Sequence, residues 1–194
     1  LYTNEVRTVG LSSGAYDVRA NYEGDSNCAQ AYSDTPGFVV WDASTAAYGG
    51  GSYVNNGRAN FAFEYHTANR VRPAGGNVVW NWKGQWRFKG KLTAYGKKTT
   101  GTWNGKNCST STPCGALSGS GTLSYFNGTT WVSVGNGVVV NISAVQTVTT
   151  AKSSSPGYVG LVFGYTPTAS QPNLPSSALV SLRRATTAGA ASFH

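Results

Sequence analysis

Glu64 and His66 are separated by one residue in Phe61-Ala-Phe-Glu-Tyr-His66. On a β-strand that spacing puts both side chains on one face. A carboxylate beside an imidazole can exchange a proton, so this is the first place to look for acid–base chemistry. Glycoside hydrolysis needs a second carboxylate facing the first. Every other acid lies in residues 1–42: Glu5, Asp17, Glu23, Asp25, Asp34 and Asp42. Nucleophilic catalysis needs a base beside Ser or Cys, and the chain has only His66 and His194. The pair is therefore expected to be an exposed strand carboxylate beside a surface histidine, and the chain is expected not to be an enzyme.

A sharper signal is the aromatic set Trp80, Trp82 and Trp86, followed by Arg87, Lys89 and Lys91. Exposed rings stack on sugars or bases, and neighbouring cations hold acidic groups. These six residues are the candidate ligand-binding set. The competing reading is a Trp-rich core with a basic outer face, which is the stronger one for at least two of the rings. No His/Cys cluster has zinc spacing. Glu23-Gly-Asp-Ser-Asn27 offers oxygen donors for Ca²⁺, but a plain polar turn explains it as well. No cofactor and no metal site is expected.

Charge is divided along the chain. Residues 1–64 hold all seven acids and three bases, a sum of −4. Residues 65–194 hold twelve bases and no acid, which completes the net +8. Such asymmetry favours partner selection by charge. Without a nucleic-acid-binding signature, no specific nucleic acid is expected.

The elements that must position these residues are strands. Apolar alternation of period two recurs between Gly, Asn, Pro and Ser clusters, with no sustained helical period. Strands are expected near Thr3–Val9, Tyr16–Tyr22, Phe38–Asp42, Ala59–His66, Val78–Trp82, Trp86–Tyr95, Gly121–Phe126, Val138–Val148, Tyr158–Tyr165 and Ala178–Arg183. Lys83-Gly84-Gln85 and Asn127-Gly128 are expected turns, and Gly90 an expected bulge. About ten strands predict an all-β fold, an antiparallel β-sandwich or jelly roll. One domain is expected over residues 1–184, with 185–194 as a C-terminal tail.

Only 11% of residues are charged and no Met is present. A chain without Met is expected to follow a cleaved segment, which points to a secreted or cell-surface protein. No apolar run is long enough to form a spanning helix. Cys108 and Cys114 bracket a short Ser/Thr/Pro loop and are expected to form a local disulfide in an oxidising compartment. Cys28 is left over and expected to be buried.

Gly57-Arg-Ala-Asn-Phe-Ala-Phe63, then Pro73 and Gly76, then Gly119-Ser-Gly121-Thr122, is similar to post-COAP-type domains of secreted bacterial proteins. The likeness covers about residues 57–125. It implies a secreted Gly/aromatic β-module and carries over no functional residue. The composition is also similar to that of small jelly-roll xylanases, without their catalytic segments.

Two functions follow as expectations. The first is an extracellular structural subunit that associates head to tail with copies of itself as a filament or surface layer. The second is a carbohydrate-binding module for acidic or neutral polysaccharide. A glycan hydrolase built on Glu64 and His66 ranks last.

Overall fold

The computed structural model describes residues 11–22, 24–40, 44–54, 58–103, 106–146, 158–174, 178–181 and 190–194. The strands are β1 (Gly14–Tyr22), β2 (Ala31–Val40), β3 (Thr45–Val54), β4 (Arg58–His66), β5 (Gly75–Trp82), β6 (Trp86–Lys98), β7 (Thr102–Trp103), β8 (Lys106–Asn107), β9 (Cys114–Phe126), β10 (Trp131–Val145), β11 (Tyr158–Phe163), β12 (Ala178–Ser181) and β13 (Ala190–Phe193). No helix occurs among the described residues. The expected strand at Thr3–Val9 lies outside them.

Nine strands form one antiparallel sheet in the order β12-β11-β10-β9-β6-β5-β4-β3-β13, while β1–β2 and β7–β8 are separate hairpins. Local chemistry sets the tight connections. Lys83 and Gly84 both take positive φ, 50° and 65°, the backbone hand that a short hairpin turn requires. Gln85 N–H donates to the Trp82 carbonyl at 2.8 Å across that turn. Between β9 and β10, the Asn127 side-chain oxygen accepts from the Thr129 and Thr130 amides at 3.0 and 2.9 Å.

The sheet curls around one main core. Phe61, Phe63, Trp80, Trp86, Phe88, Ile142 and Leu161 are buried on its concave face. Phe88 on β6 meets Phe163 on β11 at 5.0 Å between ring centroids, and Tyr95 on β6 meets Phe193 on β13 at 6.3 Å. Glycines permit the close approach of β6 and β9. A Cβ at Gly119 would run into the Lys91 carbonyl, and one at Gly121 into the Lys89 carbonyl. Leu174, in the connection after β11, joins the same core.

The β1–β2 hairpin lies over the convex face. Ala15 is buried with Ala62 and Val79. Asn77 on β5 secures it in the manner of a ladder partner, accepting from the Ala15 N–H at 3.0 Å and donating to the Ala15 carbonyl at 2.6 Å.

Several expectations are corrected. β2 begins seven residues before Phe38 and runs through Pro36; the irregular pairing opposite Asp17 accommodates the missing N–H. β3 is a further strand beyond those expected; it pairs along β4 with Gly49 opposite Phe63 and Gly51 opposite Phe61. The register shift in β6 lies between Leu92 and Ala94, not at Gly90. Gly90 instead faces the Phe88 ring, where a Cβ would stand 2.6 Å from Cε1. The C-terminal residues are not wholly a tail, since β13 pairs with β3. Cys108 and Cys114 are disulfide-bonded and buried beside Val145. Cys28 is exposed rather than buried, because it closes an exposed turn in which Asp25 Oδ1 accepts from the Asn27 and Cys28 amides.

Candidate functional site

Alternation along β6 divides the candidate ligand set in two. Trp86, Phe88 and Leu92 point into the core, and Arg87, Lys89 and Lys91 point outward. Trp80, Trp82 and Trp86 are 1%, 5% and 0% exposed. The expected stacking platform of these three indoles is therefore corrected: period two places them on the concave face with Phe61 and Phe63. Trp86 donates its indole N–H to the Pro172 carbonyl at 3.1 Å, so its polar edge is satisfied inside.

Arg87, Lys89 and Lys91 do share the outward face, and they have neighbours there that sequence reasoning missed. Arg87, Lys89 and Lys91 stand opposite Ser124, Thr122 and Ser120 of β9. Successive outward side chains on a strand are about 6.7 Å apart. At the end of the row Phe126 and Trp131 pack at 5.6 Å between centroids, and the Arg87 guanidinium carbon lies 4.5 Å from the Trp131 ring centre. Phe126 is 36% exposed. Thr122 donates its hydroxyl to Asn136 Oδ1 at 2.8 Å. The available signal was the turn Phe126-Asn-Gly-Thr-Thr-Trp131, whose aromatic ends must pair across a hairpin.

Beside this row runs an open groove of about 530 Å³. Ala15 and Tyr16 of β1 form one wall, Lys89, Lys91 and Ser120 the other. Asn77 and Lys91 also line an adjoining pocket of about 410 Å³ that reaches Glu64, His66 and Arg72.

Glu64 is 1% exposed, which corrects the expectation of a surface carboxylate. It shares the convex face with His66 as the spacing predicts. Glu64 Oε2 lies 3.4 Å from His66 Nδ1, and Oε1 accepts from the Thr45 hydroxyl at 3.3 Å. Burial pushes its pKa up from the ordinary value, opposed by His66, Thr45 and Arg72. His66 Nε2 lies 3.2 Å from the Pro73 carbonyl, and Arg72 donates to Ser44 Oγ at 2.6 Å. Both carboxylate oxygens and both ring nitrogens thus have protein partners.

No protein family, curated protein or solved structure matches this chain. Among the described side chains the acids are Glu64 and Asp25, and Asp25 is engaged by turn amides. Gly10-Leu-Ser-Ser-Gly14 has the Gly-x-Ser-x-Gly spacing, but a nucleophile elbow joins a strand to a helix. Here Ser12 leads into β1 and its Oγ lies 3.2 Å from the Tyr16 hydroxyl.

Proposed function

We propose that this chain is a non-enzymatic extracellular binding protein that holds acidic polysaccharide on the outer face of β6, β9 and β10. The observation that carries this reading is the Arg87 guanidinium stacked on Trp131 at the end of the row that contains Lys89 and Lys91. Cations spaced along one strand suit carboxylate or sulfate groups repeated along a polymer. The Trp131 indole holds the Arg87 guanidinium in place, while Ser120, Thr122 and Asn136 offer hydroxyl and amide partners. The Cys108–Cys114 disulfide supports an oxidising compartment. In this reading the facing walls of the curled sheet pack as the two layers of a sandwich do.

Affinity electrophoresis in gels containing an acidic or a neutral polysaccharide tests the proposal. Retardation by the acidic polymer, weakened by salt and by Lys91→Glu, is the expected result. Equal retardation by both polymers, or none by either, would sink it.

A second reading is head-to-tail self-association as a filament or surface-layer subunit. It is favoured by the edges of the nine-stranded sheet, β12 and β13, because edge strands template pairing with another chain. Charge alone favours it less. The β1–β2 hairpin, from the acidic third of the sequence, folds back beside β5. Light scattering across a concentration series distinguishes a growing assembly from a monomer.

A further inference from the structure

We propose that β13 is exchanged between copies: Ala190–Phe193 of one chain docks on β3 of a second chain in place of that chain's own strand. The inference rests on the self-association reading and supplies its mechanism.

The slot is specific. Ala190, Ala191, Ser192 and Phe193 pair with Gly50, Gly49, Tyr48 and Ala47. Phe193 is 3% exposed and stacks on Tyr95. A Cβ at Gly115 would run into the Phe193 ring, so the cavity for this anchor depends on a missing side chain in β9. Phe193 N–H donates to Gln146 Oε1 at 3.0 Å, and His194 N–H to the Ala46 carbonyl at 2.7 Å. The His194 ring stacks on Tyr48 at 5.8 Å.

These partners belong to β3, β6, β9 and the residue after β10. All of these partners lie before residue 147, far from β13 in the chain. The strand of a second copy would therefore make the same contacts. That identity is what makes strand exchange low in cost. Like β12, β13 is a short edge strand of the sheet. It has four residues, pairs on one side only, and carries one large buried anchor. Such elements open at lower free energy than central strands. Its predecessor β12 is the opposite edge of the same sheet. The eight residues 182–189, Leu-Arg-Arg-Ala-Thr-Thr-Ala-Gly, are long enough to reach about 28 Å when extended. When each copy donates to the next, the contact is head to tail, and it closes into a ring or extends as a fibre.

The test uses cysteine pairs in a Cys28→Ser background. One variant carries Tyr48→Cys, the other Ser192→Cys. These positions face each other in the ladder, where antiparallel Cα atoms stand about 4.5–5.5 Å apart, within disulfide reach. Mixing the two under mild oxidation is expected to give a covalent pair containing one of each chain. A single chain carrying both substitutions is the control and is expected to cross-link. Cross-linking in the control but not in the mixture overturns exchange. Failure of the control overturns the docking of β13 itself. Light scattering on the unsubstituted protein separates the two proposals. Association without a mixed cross-link leaves self-association standing and removes exchange; a monomer at every concentration removes both. Phe193→Ala, which empties the slot, is expected to weaken association about tenfold or more; unchanged association would count against exchange.

Discussion

Trp80 on β5 and Phe163 on β11 meet with ring centroids 4.8 Å apart, although three strands separate β5 from β11 in the ladder. Hydrogen bonding cannot bring them together, because each pairs only with its neighbours. Curling of the sheet does so. The contact crosses its concave interior, and that interior is filled by side chains. Among the described residues, the open groove beside β1 lies instead on the convex face.

Trp80→Ala is expected to cost about 3–5 kcal/mol, because it removes a fully buried indole from that crossing contact. Trp131→Ala, on the convex face, is expected to cost about 1 kcal/mol, the scale of losing a partly exposed cation–π partner. Urea denaturation of the two variants checks the order. Equal costs would contradict the division into faces.

Gly121→Val is expected to lower the melting temperature sharply or prevent folding, because its Cβ would collide with the backbone of β6 at Lys89. Gly135→Ala, where a Cβ meets nothing, is expected to change stability by less than about 0.5 kcal/mol. Calorimetry of the pair tests whether the curl depends on glycine at the β6–β9 contact.

Glu64 makes stability depend on pH in a direction opposite to the usual ion-paired carboxylate. Its folded pKa is raised, so between the ordinary value and the raised one the unfolded chain has released its proton while the folded chain still holds it. The unfolded state binds fewer protons there, and stability falls as pH rises through that window. Glu64→Gln is expected to remove this decline. Unfolding curves collected across the window decide it, and parallel slopes in both proteins would refute the assignment.

Tyr95 adds a second window at alkaline pH. Burial raises its phenol to about 12, so its contribution is complete below pH ~10, the ordinary tyrosine value, and is lost as pH rises through the folded value. Tyr95→Phe is expected to flatten stability over that range. Tyrosinate absorbance during titration checks whether one phenol ionises late.

Replacing Cys108 and Cys114 by Ser is expected to cost about 2 kcal/mol, the chain-entropy value for closing a seven-residue loop. Because Trp103 and Val145 pack beside the disulfide, the loss is expected to appear first in the β7–β8 region. Hydrogen exchange of the Cys108 amide, which donates to the Gly101 carbonyl, reports it.

By itself the sequence determined the strand character, the two tight turns, the local disulfide and the alternation of β6. These depend on neighbouring residues: period two, positive φ at Gly, and a six-residue cysteine separation. Alternation also showed that Arg87, Lys89 and Lys91 oppose Trp86 and Phe88. It favoured the aromatic row as the buried one for at least two of the rings, but left an exposed platform open for the rest. The tertiary structure decided that by curling the sheet, so one face closed on itself and took the indoles. The same curl placed Phe193 against Gly115 and Tyr95. It also let the β1–β2 hairpin lie over the convex face on which Glu64 is buried. Those outcomes depend on contacts between residues tens of positions apart, set by where glycine lets two backbones approach, and period two carries no record of them.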